Sequence, residues 1–149
     1  MKIIYKKGNL LDCEEPYIMH GCNAQGVMQS GVAKAIRDRW SEAYQRYYKV
    51  YNDQGGRLYL GQIIIAHGSD KMIINAITQR MYGRDRTRRY ISYAALRLCC
   101  ETVNKQCAPF TAAIALPRIG CGLANGEWSV VEKIIEEEFT HIQPVVYDL

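Results

Sequence analysis

A chain of 149 residues, 48% apolar and 23% charged, is one domain's worth of packed globular protein and not a disordered segment. Lysine and arginine number 19 against 15 acids, and the net charge of +4 sits entirely in the segment 80–89, where Arg80, Arg84, Arg86, Arg88 and Arg89 face only Asp85. The neutral remainder argues against a nucleic-acid coat, and no apolar run is long enough to suggest a membrane span.

In chain order, residues 2–7 read as a short edge strand, returning to charge too soon for a signal peptide. Residues 17–20 read as a short buried strand that stops at Gly21. Val32, Ala33, Ile36, Trp40, Ala43, Tyr44 and Tyr47 recur at spacings of three and four, which predicts one long amphipathic helix with Ser30 near its start as cap. Residues 62–66 and 72–77 are β-branched runs joined by His67, Gly68, Ser69 and Asp70, a turn signal that predicts a hairpin or two adjacent strands. Ile91, Ala95, Leu98 and Thr102 mark a second helix, with Thr87 as its cap. An apolar strand over 111–116 stops at Pro117. Trp128, Val131, Ile135 and Phe139 then stripe a third helix, and 143–147 form a closing strand. This alternation predicts an α/β sandwich, residues 1–149 as a single unit, around a largely parallel or mixed sheet.

Six cysteines, Cys13, Cys22, Cys99, Cys100, Cys107 and Cys121, include no C-x-x-C pair, so a zinc site is not expected. A chain of this size does not need disulfide staples, and a reduced, cytoplasmic setting is the expectation. Tyr44, Tyr47, Tyr48 and Tyr51 belong to packing and surface coverage on or near one helix.

Two places share one design, in which a buried strand runs into a glycine-rich loop and then into the start of a helix. The first runs through Gly21, Asn23, Gly26, Ser30 and Gly31; the second runs through Pro117, Gly120, Gly122, Asn125 and Gly126. The first N–H groups of a helix lack internal partners and carry the positive end of its dipole. Glycines let the backbone approach a ligand and present successive N–H groups to an anion. Two such loops side by side suit two linked phosphates, and hence a nucleotide derivative. Neither is a Walker loop, because Val27 and Met28 follow Gly26, and neither is a Rossmann fingerprint, because Asn125 stands at the third glycine's place.

These segments resemble the macro domain, an ADP-ribose-binding module built as a three-layer α/β/α sandwich with a mixed central sheet. The resemblance runs from Lys7, Gly8, Asn9 and Leu10, through His20, Gly21, Cys22, Asn23 and residues 31–36, to residues 117–123, Trp128 and the ending at Leu149. Arg118, Ile119, Gly120, Cys121, Gly122 and Leu123 are its most specific part. They resemble the branch that includes terminal ADP-ribose protein glycohydrolases and the ADP-ribose 1''-phosphate phosphatases of yeast type.

The resemblance implies roles residue by residue. Asn9, next to Leu10, stands where most macro domains hold the adenine amino group with an aspartate, and its amide oxygen can still accept. Asn23 matches the asparagine near the distal ribose. Gly31, Val32 and Ala33 would wrap the first phosphate, residues 119–123 the second, and Leu149 would lie on the nucleoside side. Two departures matter. The glycohydrolase's lysine position carries Gln79 or Arg80, and its aspartate position carries Ala124, so the covalent lysine route is closed. The phosphatase's histidine, by contrast, aligns with His20.

The expected activity is therefore a phosphatase acting on ADP-ribose 1''-phosphate without metal or cofactor. His20 would serve as acid or base, Asn23 would stand beside the distal ribose, and loop N–H groups would meet the transition-state charge. The alternatives are a mono-ADP-ribosyl hydrolase working by another route and a non-enzymatic ADP-ribose-binding module; nucleic-acid binding through residues 80–89 is disfavoured. Cys22 and Cys121 are expected to fill space, and His67 and His141 to lie at the surface. Asp12 and Glu127 are the nearest acids. Arg118 either contacts phosphate or props the loop through an ion pair.

Overall fold

The computed structural model describes residues 1–149. Its strands are β1 (Ile4–Lys7), β2 (Tyr17–Asn23), β3 (Ile63–His67), β4 (Met72–Gln79), β5 (Ala113–Leu116) and β6 (Gln143–Asp148); its helices are α1 (Gly31–Arg39), α2 (Ser41–Asp53), α3 (Tyr93–Cys107) and α4 (Trp128–Glu138). The strands form one sheet in the order β1-β6-β5-β2-β4-β3. Every neighbouring pair is parallel except β3 against β4, so the sheet is mixed, as expected.

Side-chain alternation along the strands makes the three layers. Ile18, Ile73 and Ala115 pack on one face with Ile36, Trp40 and Ala43, under α1 and α2. Their chain neighbours Met19, Ile74, Ile114 and Leu116 pack on the other with Leu96 and Val103 of α3 and Val131 and Ile135 of α4. The antiparallel β3–β4 pair is the expected hairpin, closed by the Gly68 N–H donating to the Lys71 carbonyl at 2.8 Å.

Three local expectations are corrected. The single long helix is two, because Trp40 adopts an extended backbone (φ −128°, ψ 91°) between α1 and α2. Its ring is fully buried and its indole N–H donates to Asp70 Oδ1 at 2.7 Å, which fixes the break to the β3–β4 turn. Both helices cover the same sheet face, so the apolar spacing continues across the interruption. Next, α3 is capped by Ser92, whose hydroxyl accepts from the Ala95 N–H at 3.1 Å, and not by Thr87. Ile91 forms an antiparallel bridge to Gln79, which keeps the chain extended up to Ser92. Finally, β2 continues through Gly21 and Cys22 to Asn23, paired to β4 throughout.

All six cysteines are free thiols, five of them buried. No helix is long and apolar enough to cross a membrane. Because β2, β4, β5 and β6 run in one direction, the segments that follow them emerge along one rim of the sheet. In open α/β sheets that rim is where ligands bind.

Candidate functional site

The first loop is shaped from below by α2. Tyr47, fully buried, places its hydroxyl between the Asn23 carbonyl (2.6 Å) and the Gly26 N–H, which donates to it at 3.1 Å. Asn23 is itself a loop staple: its Nδ2 donates to the Val27 carbonyl at 2.8 Å, and its Oδ1 accepts from the Gln25 N–H at 2.9 Å. Gly26 (φ +78°) rests on the Tyr51 ring, where any Cβ would stand 2.9 Å from it. Beyond this staple, the backbone N–H groups from Met28 to Ala33 have no partner in the fold, and α1 begins among them.

The second loop rests on Ile91. Gly120 has φ +74°, and a Cβ there would lie 2.1 Å from the Ile91 Cδ1. The Gly126 N–H donates back to the Gly120 carbonyl at 2.6 Å, and the Asn125 N–H to the Gly122 carbonyl at 3.1 Å, curling the segment into a hoop. The N–H groups of Gly120, Gly122, Leu123 and Ala124 are left without partners.

The two loops face each other across a cleft of about 600 Å³, floored by Gly21, Cys22, Thr78 and Gln79. Gly21 is held to a bare backbone here, since a Cβ would meet the Thr78 hydroxyl at 2.8 Å and Ile119 at 3.2 Å. Val32 and Leu123, each 43% exposed, give the two walls apolar lips. No carboxylate, histidine or lysine side chain lines the cleft, and its arginines are Arg84 and Arg118. A chamber with unpaired N–H groups on two sides and no acid is built for an anion.

Of the residues singled out from sequence, Asn23, Gly31, Val32, Ala33, Arg118, Ile119, Gly120, Gly122 and Leu123 meet in this cleft. Cys121 does not: its thiol turns back to the Ile119 carbonyl at 3.4 Å, and burial raises its pKa. Asn9, Leu10 and Leu149 lie outside the cleft wall, where β1 and β6 end side by side; Asn9 Oδ1 accepts from the Leu11 N–H at 3.0 Å, Leu10 is buried, and Leu149 is exposed. Arg118 makes the propping ion pair, bidentate to Asp148 at 2.8 and 2.9 Å, with its guanidinium over the Trp128 and Tyr5 rings. That hydrogen bonding holds the Asp148 carboxyl below the usual range. Asp12 pairs with Arg39 at 3.6 Å, and neither it nor Glu127 reaches the cleft.

His20 requires the main correction. It is not the last residue of a strand but sits in the middle of β2, fully buried and aimed away from the cleft. Its Nε2 donates to Asn75 Oδ1 at 2.6 Å, and the Asn75 amide in turn donates to the Ala43 carbonyl of α2 at 3.1 Å. Burial lowers its pKa to about 4, against the opposing effect of the Asn75 bond, so the ring is neutral and out of reach of a substrate. Cys22 Sγ lies 3.6 Å from the same nitrogen, but burial raises the thiol far above its ordinary range, and no thiolate–imidazolium pair forms.

Of the two residues that the resemblance set against the glycohydrolase's lysine, Gln79 lines the cleft while its Nε2 donates to the Met81 carbonyl at 2.8 Å, and Arg80 is exposed outside it. Ala124 also lines the cleft. Thr78 carried no signal in the sequence, whereas Tyr82 and Arg84 belong to the arginine-rich segment noted there, and all three bring the chain at and after the end of β4 to the site. The Thr78 hydroxyl is buried without a hydrogen-bond partner.

Residues 19–135 match the family model of the macro domain. The chain belongs to the macro domain family. It is 27% identical to the bovine (Bos taurus) ADP-ribose glycohydrolase OARD1, over 99% of this chain and 92% of that protein. A DNA ADP-ribosyl glycohydrolase from Thermus aquaticus is 24% identical over 95% of this chain, but the match spans only 39% of that longer protein. A solved structure of a protein of unknown function from Bacteroides thetaiotaomicron superposes with a TM-score of 0.88 and 31% identity, covering 100% and 99% of the two chains. The structure of Thermosipho africanus DarTG in complex with ADP-ribose shares the fold at a TM-score of 0.78 and 16% identity, over 97% of this chain and 41% of that one.

Two outcomes follow for this macro domain. Gly120→Ala forces a left-handed residue with a methyl group into Ile91 and should cost about 2–4 kcal/mol. Gly122→Ala, with open space around its Cβ, should stay within about 0.5 kcal/mol of the parent. Urea denaturation at pH 7 measures both, and equal stabilities would contradict the packing described. Separately, the folded chain keeps His20 neutral, whereas the unfolded chain protonates it below about pH 6.5. Its contribution to stability is therefore complete above that pH and declines as the pH drops towards 4, by about 2 kcal/mol between pH 7 and 5. His20→Gln should flatten this slope; an unchanged slope would show that other groups carry it.

Proposed function

We propose that this macro domain is a recognition module for ADP-ribose, gripping the diphosphate between its two glycine loops. The carrying observation is the set of unpaired backbone N–H groups facing one another across a cleft with no acidic side chain. The volume of about 600 Å³ suits a nucleotide-sized ligand. In this reading the N–H groups of Gly31, Val32 and Ala33 hold one phosphate and those of Gly120, Gly122 and Leu123 the other. Asn23 and Gln79 stand towards the distal ribose. Asn9, Leu10 and Leu149 lie on the nucleoside side, where β1 and β6 end.

Hydrolysis at the distal ribose is the second reading, favoured by the glycohydrolase names of the bovine and Thermus relatives. It covers both release of ADP-ribose from a modified partner and release of phosphate from ADP-ribose 1''-phosphate. The cleft supplies little for either. Gln79 has no nucleophilic amine, Ala124 no carboxylate, and His20, on which the phosphatase reading leaned, is sealed beneath the floor. An attacking water would have to be held by loop N–H groups, neutral side chains and the two arginines, none of which takes up its proton.

Calorimetry with ADP-ribose, run beside assays for phosphate released from ADP-ribose 1''-phosphate and ADP-ribose released from mono-ADP-ribosylated protein and DNA, separates these readings. Recognition predicts micromolar binding with no turnover above background. Turnover that falls with Asn23→Ala would establish the hydrolase instead, and absence of ADP-ribose binding would refute both.

A further inference from the structure

The strongest unassigned feature is the arginine segment that follows β4. A side pocket of about 450 Å³ is lined by Arg84, Arg86, Gly122, Leu123 and Asn125, and it shares Arg84, Gly122 and Leu123 with the main cleft. Neither Arg84 nor Arg86 makes an ion pair or a side-chain hydrogen bond, although the segment holds the whole net charge of the protein. The one acid within reach, Asp85, is turned aside: its Oδ1 accepts from the Thr87 N–H at 2.9 Å and the Thr87 hydroxyl at 2.7 Å.

The segment is also held in place. Asn125, in the left-handed region at φ +59°, donates its amide to the Asp85 carbonyl at 2.9 Å and to the Arg88 carbonyl at 2.7 Å. This one side chain ties the arginine segment to the second glycine loop. Gly83 is pressed against the Tyr90 hydroxyl, which accepts from the Asp85 N–H at 3.3 Å.

Resting on the ADP-ribose reading above, we propose that Arg84 and Arg86 form a second anion subsite that receives a phosphate attached beyond the distal ribose. The sheet order sets the direction. The nucleoside end is assigned to β1 and β6, and the arginines follow β4, on the far side of β5 and β2. Two guanidinium forks lining one pocket match the oxygens of a phosphate. The same chemistry is offered by the terminal monoester of ADP-ribose 1''-phosphate and by a phosphodiester of a nucleic acid that carries ADP-ribose.

Calorimetric Kd values test this for ADP-ribose, ADP-ribose 1''-phosphate, an oligonucleotide bearing ADP-ribose and the same oligonucleotide unmodified. The parent is compared with Arg86→Gln and with Arg84→Gln/Arg86→Gln. At least one phosphate-bearing ligand should bind about tenfold more tightly than ADP-ribose, and the double variant should reduce that gain to within about twofold. Arg86→Gln should leave the Kd of ADP-ribose itself unchanged. A gain confined to the monoester or to the oligonucleotide supports the subsite and names its source. Equal Kd values for all three ADP-ribose ligands, a gain that survives the double variant, or equally tight binding of the unmodified oligonucleotide would overturn the subsite. If ADP-ribose itself fails to bind, the underlying reading falls and takes the subsite with it.

Discussion

The site depends on backbone N–H groups that the fold leaves unsatisfied and yet holds still. Such groups pair elsewhere in a folded chain, so two facing runs of them are an arrangement that other contacts must enforce. In the first loop the enforcing contacts are the Tyr47 hydroxyl and both ends of the Asn23 amide. In the second they are the Ile91 side chain beneath Gly120 and the closure of Gly126 onto the Gly120 carbonyl. Once these are in place, an anion between the loops needs no rearrangement of the backbone to be bound, and the affinity is not spent on ordering it.

The distribution of charge follows the same logic. Acids near the rim are committed elsewhere: Asp148 to Arg118, Asp85 to Thr87, Asp12 to Arg39. Arg118 reaches the cleft already neutralised, so it braces the loop against β6 and the Trp128 ring and adds little free positive charge. Attraction inside the cleft therefore comes from peptide dipoles, and side-chain charge enters only at the mouth, with Arg84. A ligand whose phosphates lie both between the loops and beyond them would use both kinds.

Much of this was legible in the sequence because it rests on local pattern. Continuous apolar and β-branched runs marked the strands, and two strand–glycine–helix junctions marked the loops that meet across the cleft. What escaped depends on partners far along the chain. The break at Trp40 is tied to Asp70, thirty residues away, and does not disturb the apolar spacing. His20 looked like a strand end because Gly21 follows it, but β2 runs on to Asn23, and alternation turns the ring towards Asn75 and α2. The arginine segment has no periodicity at all, and contacts more than thirty residues apart in sequence, the Asn125 amide on the Asp85 carbonyl and the Tyr90 N–H on the Ala124 carbonyl, place it beside the second loop.

The claim that both loops grip one diphosphate is tested most directly by following backbone amide resonances of the ¹⁵N-labelled protein during titration with ADP-ribose. The account predicts that the amides of Gly31, Val32 and Ala33 shift together with those of Gly120, Gly122 and Leu123, with a shared midpoint. Shifts confined to one loop, or centred on residues away from the rim of the sheet, would contradict it.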